Sequence, residues 1–260
     1  MTTTRKVGKA AVKQGKASGL SEAEMRRRLT DACKILAMEG QGDAVWGHVT
    51  VRARPGAETF LMKPAQIGIE EVKPADHLEV DLDGKVVRGR LKRHSEVFIH
   101  AEVMRARPDV CAVVHTHPIY ATVFSSLGVP LRPITHEGSN FAPGDVPRFT
   151  ETTDLIVTPE RGKAVARTLG DRNALFLVSH GIVTCAPTVE QAAVHALLLD
   201  IASRAQLMVP GGTPRHWTSD EEALVKRDRI YSWPNHAQRW PYLLRKLRRW
   251  ERLGGYRFFL

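Results

Sequence analysis

The sequence predicts a mixed α/β fold in one domain, followed by a C-terminal helical extension. Three observations carry that expectation. Ser21-Glu22-Ala23-Glu24 and Thr188-Val189-Glu190-Gln191 are capping boxes, each opening a helical stretch. Short apolar runs at 111–114 and 174–178 have the length of buried strands. Asp83-Gly84 sits between two strand-like segments and signals a hairpin. The 260 residues are 43% hydrophobic and 25% charged, enough for a sizeable core and contrary to wholesale disorder.

Each element has its own reason. Residues 1–20, rich in Lys, Gly, Ala and Thr, read as a disordered basic arm. A helix starts at the Ser21 cap, runs to about Met38 and stops at Gly40. Val45 to Val51 and Phe60 to Met62 read as strands, and Leu78 to Val80 and Lys85 to Val87 flank the hairpin turn. Ser95 to Arg107 reads as a helix, with Val97, His100, Ala101 and Met104 at helical spacing and Pro108 ending it. A buried strand from Cys111 then enters His115-Thr116-His117-Pro118, and a short helix follows around Ala121 to Ser126. The Pro- and Gly-rich segment 128–147 is a long loop. Glu160 to Leu169 is helical, and the strand Ala174 to Val178 arrives at Ser179-His180-Gly181. The helix opened by Thr188 runs to about Met208, so the domain spans 21–210. Segment 211–260 forms the extension, with helices over Ser219 to Arg229 and Pro241 to Arg252.

Charge and cysteine usage exclude several classes. The formal net charge is +10, but residues 1–20 hold five cations and no acid. Residues 241–260 hold six cations against Glu251, which leaves 21–240 neutral. Basic charge on two tails, without a groove of interleaved aromatics, argues against nucleic acid as partner. The N-terminal stretch also has the basic, acid-free character of a mitochondrial presequence. Cys33, Cys111 and Cys185 are far apart with no CxxC pair, which excludes a thiolate zinc site and a disulfide scaffold and points to a reducing cytoplasm. No apolar run reaches the roughly 18 residues of a membrane helix.

His115 and His117 are two apart on a strand, so both face one side and can share a divalent metal. His180 also follows an apolar strand, and Gly181 after it leaves room for close approach. Three neutral imidazoles with open positions make a catalytic metal site rather than a closed structural one. Glu96, near the start of a helix, is either a general acid/base, a fourth ligand, or a first-turn carboxylate favoured by the helix dipole.

These residues carry a resemblance. Ser95-Glu96, His115-Thr116-His117 nineteen positions on, and His180-Gly181 after a strand resemble the class II aldolase/adducin family. Arg107 to Pro118 is similar to its signature, Gly47 to Arg52 to its Gly-Asn segment, and Met62 to Gly68 to its Pro-Ser/Thr-Gly loop. The match covers about 21–210. It implies a three-layer α/β/α sandwich with a central, mainly antiparallel sheet, in a ring-shaped homotetramer with the site at a subunit boundary. It also implies one divalent ion (Mn, Zn, Fe or Co) held by His115, His117 and His180, with Glu96 as acid/base.

The departures narrow the substrate. His48 stands at the Asn position of sugar-phosphate members, Ala65 at the centre of the hydroxyl-bearing loop, and His94 at the first Ser of a Ser-Ser pair, beside Ser95. A phosphate cradle needs small residues and exposed amides. Arg93, His94 and His48 are instead suited to a carboxylate or phenolic oxygen through charge-assisted hydrogen bonds. Tyr120 and His136 are further candidates to line the site, and Trp217, Tyr231 or Trp233 to close it. His195 reads as a core or interface residue; His77, His100, His216 and His236 belong to no constellation.

The reading is a metal-dependent carbon–carbon lyase. It decarboxylates a hydroxylated aromatic or heteroaromatic carboxylic acid through an enolate-like intermediate, stabilised by a Lewis-acidic metal and protonated by Glu96. The alternatives are a sugar-phosphate aldolase or epimerase, an iron(II) oxygenase on the same scaffold, and a non-catalytic adducin-like module. Retention of all three histidines and Glu96 counts against the last.

Overall fold

The computed structural model describes residues 20–232 and 238–254. Residues 1–19 of the basic arm, Trp233 and His236 lie outside them. The strands are β1 (His48–Val51), β2 (Thr59–Met62), β3 (Leu78–Asp81), β4 (Val86–Arg88), β5 (Ala112–Thr116), β6 (Arg148–Phe149), β7 (Ala174–Leu177) and β8 (Gly181–Ala186). They form one sheet in the order β4-β3-β2-β1-β5-β8-β7-β6, antiparallel throughout except for the parallel pair β6–β7.

The helices are α1 (Glu22–Leu36), α2 (Val97–Ala106), α3 (Ile119–Ser125), α4 (Pro159–Leu169), α5 (Val189–Leu207), α6 (Asp220–Lys226) and α7 (Arg239–Arg252). The sheet separates two apolar cores. Val113, Leu175 and Val183 pack with α2 and α4 on one face. Ala112, Val114 and Phe176 pack with α1, α3, α5 and α7 on the other. Every residue of β5 is buried because helices cover both faces, so the strand reads as a continuous apolar run. The result is a three-layer α/β/α sandwich.

The C-terminal helix joins this core. Trp240, Leu243, Leu247 and Trp250 follow helical spacing and are buried against the α1 side. Lys34 to Glu251 at 2.7 Å and Lys246 to Glu39 at 2.6 Å tie its polar face to the domain.

Several local details differ from the sequence reading. Strand β8 was not expected. The β7–β8 hairpin turns through Val178, Ser179 and His180, with Leu177 paired to Gly181. No Asn-Gly or Asp-Gly marks that turn; Ser179 takes the left-handed conformation (φ 57°), and its amide donates to Ser125 Oγ at 3.0 Å. The long loop contains a 3-10 turn over Glu137–Phe141, and β6 follows it. Both capping boxes form only their serine or threonine half. Ser21 Oγ accepts from the Glu24 amide, but the Glu24 carboxylate goes to Arg27 and Arg28. Thr188 Oγ1 accepts from the Gln191 amide, while Gln191 Oε1 accepts from the Thr188 hydroxyl.

Candidate metal centre

Strand alternation puts His115 and His117 on the same sheet face as Val113, beneath α2. The antiparallel register sets His48 on β1 directly opposite His115 on β5. His180 arrives from the tip of the β7–β8 hairpin, and Glu96 is the residue just before α2. Its carboxylate makes no capping bond; Oε1 accepts from the buried Ile156 amide at 2.9 Å. One carboxylate oxygen is therefore committed to a neighbouring segment rather than to the helix it precedes.

One ligand atom each from Glu96, His115, His117 and His180 lie within 4.8 Å of one another. Glu96 Oε2 is 3.7 Å from His115 Nε2, and Glu96 Oε1 is 3.6 Å from His180 Nε2. Glu96 and His115 are buried, while His117 and His180 are partly exposed, so the cluster has an open side.

Hydrogen bonds on the far side of two rings decide what the cluster offers. His115 Nδ1 donates to the Ile182 carbonyl at 2.9 Å, and His117 Nδ1 donates to Asp43 Oδ2 at 2.9 Å. A carbonyl and a carboxylate can only accept, so both rings carry their hydrogen on Nδ1. The two Nε2 atoms, 3.0 Å apart, then present bare lone pairs to each other. Lone pairs at that distance repel, and a divalent cation between imidazole and carboxylate donors relieves it. The donor set fits such an ion, and the Asp43–His117 pair has the form of the carboxylate support that orients metal-binding imidazoles.

Burial sets the charges. It holds His115 well below the ordinary histidine value, with the neighbouring imidazoles adding to the effect. It brings His180 down to about 4, with His117 second. Neutral rings are the form that binds metal. Burial pushes Glu96 up, against the Ile156 amide, which stabilises its charge.

Gly181 has a steric role. A Cβ there would lie 2.6 Å from the Thr116 carbonyl oxygen and 2.7 Å from His117 Cδ2. The sequence expectation of close approach at this glycine is met by a named neighbour.

The substrate-side candidates separate into two groups. His48 and His94 join the cluster. His48 Nε2 is 3.7 Å from Glu96 Oε2, and the His48 ring centroid lies 4.4 Å from that of His94 and 4.8 Å from that of His115. Burial holds His48 well below the ordinary value and brings His94 to about 3, with the Lys63 charge adding to the latter. Both rings are therefore neutral at pH 7. In a bond from either ring to a substrate oxygen, the charge would have to come from the substrate. Arg93 donates to the His94 carbonyl and leans toward Phe98, and Ser95 is exposed beside Glu96. Tyr120 stacks under the Arg204 guanidinium at 4.9 Å, and His136 is exposed at the start of the 3-10 turn. Neither is drawn into the histidine cluster. Trp217 is exposed with Arg132 over its ring, whereas Tyr231 is buried in the α1-side core.

Sequence reading missed four contributors. Asp43 is 74 positions from His117. His100 on α2 reaches His48 Nδ1 at 2.6 Å. The buried Lys63 ammonium donates to the Val45 carbonyl at 2.8 Å and lies 3.3 Å from His94 Nε2. The Ile156 amide is a backbone group with no side-chain signature.

Among the described residues, no helix is long and apolar enough to cross a membrane. The chain is 30% identical to a 3,4-dihydroxyphthalate decarboxylase of Arthrobacter keyseri, over 74% of this chain and 81% of that protein. It is 34% identical to a 4-hydroxy-3-prenylphenylpyruvate oxygenase/4-hydroxy-3-prenylbenzoate synthase of Streptomyces roseochromogenus subsp. oscitans, over 64% and 60% of the two chains. Its fold is similar to an L-fuculose 1-phosphate aldolase from Glaciozyma antarctica PI12, with TM-score 0.77 and 25% identity over 90% of this chain and 91% of that one. Residues 27–207 match the Class II Aldolase and Adducin N-terminal domain. The chain, with its Glu96 and three-histidine cluster intact, belongs to the class II aldolase and adducin family, as one of its enzymes.

Proposed function

We propose that this chain is a divalent-metal-dependent carbon–carbon lyase that decarboxylates a hydroxylated aromatic or heteroaromatic carboxylic acid, in the breakdown of such compounds. The observation that carries the reading is the pairing of a buried carboxyl, Glu96, with the lone pairs of His115, His117 and His180. Those three imidazoles hold the ion, which supplies Lewis acidity that makes a carbanion next to a substrate oxygen accessible. Glu96, with its pKa raised by burial, delivers the proton that replaces the lost carboxyl group. The Ile156 amide fixes the carboxyl in place. The closely packed imidazoles of His48 and His94, with His100 behind His48, form the adjoining wall, which suits a flat, hydroxylated ring better than a phosphate. The buried Lys63 cation at its edge suits a carboxylate. The decarboxylase relative supports the same class of substrate.

We further propose a homotetramer working in the cytoplasm, with each site completed near a subunit boundary. Ile119 and Val123 on α3 and Ile201 on α5, helices packed on each other, are exposed apolar residues that a second copy would cover. The three cysteines are buried and free, as a reducing compartment leaves them. Arg93, Ser95, Tyr120 and His136 remain candidates for substrate contact in that assembly.

The test is carbon dioxide release from a panel of hydroxylated aromatic mono- and dicarboxylates, with protein reloaded separately with Mn, Zn, Fe or Co. A sugar-phosphate panel is run beside it. Release from an aromatic acid, with no aldehyde from the sugar phosphates, is the expected result; the reverse pattern makes the chain an aldolase. The oxygenase relative supports a second reading, an iron(II) oxygenase on this scaffold. Oxygen uptake restricted to the iron-loaded protein would select it.

A further inference from the structure

His48 and His100 form a chain of hydrogen bonds that leads away from the site. His48 Nδ1 is 2.6 Å from His100 Nε2, and His100 Nδ1 is 2.8 Å from Thr50 Oγ1. The Thr50 hydroxyl in turn faces the Val113 carbonyl at 3.4 Å, across the β1–β5 register pair. All these side chains are fully buried. The last member decides the direction. A carbonyl oxygen has no hydrogen to give, so Thr50 donates to Val113. Thr50 Oγ1 then accepts from His100 Nδ1–H, which also lies within reach of the same carbonyl. A neutral imidazole has one hydrogen, so His100 Nε2 accepts, and His48 Nδ1 must donate. His48 Nε2, which faces Glu96 Oε2 at 3.7 Å, is left bare.

We infer that His100 is a positioning residue that locks His48 as its Nδ1–H tautomer, so that His48 Nε2 accepts a hydrogen bond from a substrate hydroxyl. The tautomer follows from the buried chain alone. The hydroxyl rests on the substrate class proposed above. A bare nitrogen repels a carboxylate, an ether oxygen or a ketone, which bring only lone pairs. It selects the phenolic hydroxyl of a hydroxylated ring. The device is structural, since it needs no change of charge on either imidazole.

The tautomer is read by long-range proton–nitrogen correlation spectra of ¹⁵N-labelled, zinc-loaded protein, with His48 assigned through His48→Gln. The expected spectrum has the His48 hydrogen on Nδ1. A hydrogen on Nε2 overturns the proposal whether or not any substrate loses carbon dioxide, so this failure is distinct from failure of the lyase reading. The hydroxyl is read by titrating 3,4-dihydroxybenzoate against its two mono-O-methyl ethers. Loss of chelation in the ethers is common to all variants and cancels in the ratio. Preference for the dihydroxy probe should fall about threefold to tenfold in His48→Phe, the size of one neutral hydrogen bond. His100→Leu should mix the His48 tautomers and lose the same preference while zinc stays stoichiometric. His100→Gln, which can accept from His48 and donate to Thr50, should restore both. An unchanged ratio in His48→Phe removes the hydroxyl contact. An unchanged tautomer in His100→Leu removes the positioning role; should the leucine variant not fold, loss of the His48 Nδ1–H tautomer in His100→Gln, which keeps the acceptor, removes it instead.

Discussion

His115 Nε2 and His117 Nε2 stand 3.0 Å apart, and each ring has its hydrogen committed on the opposite nitrogen. Removing one ring takes away a donor and leaves the other lone pair without its partner cation. His117→Ala should therefore lose the metal and turnover together. Metal analysis after dialysis checks it; full occupancy in this variant would take His117 out of the ligand set.

Asp43 fixes the His117 ring from behind at 2.9 Å. Asp43→Asn keeps the size but exchanges a carboxylate for an amide, which weakens the support and lowers the basicity of the ring. Metal affinity should fall roughly 10- to 100-fold, the usual effect of losing such a partner. A chelator competition titration measures it. Unchanged affinity would make the Asp43 contact incidental.

Gly181 leaves no room for a side chain: a Cβ would approach the Thr116 carbonyl oxygen to 2.6 Å and the His117 ring to 2.7 Å. Gly181→Ala must displace the hairpin or the ring. We expect metal loss in this variant with a smaller loss of thermal stability than a large-to-small core substitution causes. Normal metal content with normal turnover would show that the hairpin yields without moving His117.

The legible and illegible parts of this site divide by physical cause. His115 and His117 are visible because strand alternation fixes their common face within three residues. His180 and Glu96 are visible because their order and spacing match the family resemblance. Asp43 and His100 are not, because they meet their partners 74 and 52 positions away in sequence, and neither lies in a local pattern. His100 also sits at a core spacing on α2, where an imidazole reads like packing. The fold was legible at its helices, whose caps and periodicity are local. Strand β8 was not, because its hairpin turns on Ser179 in a conformation that serine rarely signals. The neutral state of His48 and His94 was not legible, because it depends on burial, which sequence does not give.

Stability should fall in acid for a reason outside the site. Burial lowers His77 to about 4 and His195 to about 4, while the unfolded chain titrates near 6.5. Below 6.5 the unfolded state takes up protons that the folded state refuses, so stability declines as pH falls and the decline ends near 4. A shift of that size corresponds to roughly 3 kcal/mol per histidine at most. The urea midpoint of zinc-saturated protein should drop between pH 7 and pH 4.5. In His77→Gln the slope should be shallower by about one proton. An identical slope in this variant would mean that His77 titrates normally.

The proposed subunit contact can be tested through α3 and α5. Ile119 is 65% exposed and Ile201 46%, on two helices packed against each other. A charge at either position costs little in a monomer and is incompatible with a dry subunit contact. Ile119→Asp and Ile201→Asp should lower the oligomer mass by light scattering. Turnover should fall with it while metal content persists. An intact tetramer in both variants would move the interface elsewhere.

In the proposed lyase chemistry, Glu96 is the proton donor. Its carboxyl is buried beside three imidazoles, held by the Ile156 amide on one oxygen, and free of any helix-capping bond. Burial favours the protonated form and the amide favours the charged one, with burial the larger influence. A carboxyl raised in this way holds its proton more readily than an exposed one and can give it to a carbanion on one face. Glu96→Gln keeps the shape, and Oε1 still accepts from Ile156, but the amide cannot release a proton. We expect metal content and substrate binding to persist while single-turnover rates fall about 10²- to 10⁴-fold, the range for a general acid–base group. The three measurements separate the roles. Near-normal turnover would remove Glu96 from proton transfer. Loss of the ion would make Glu96 chiefly a ligand, and the proton would then have to come from another group at the wall, such as Lys63.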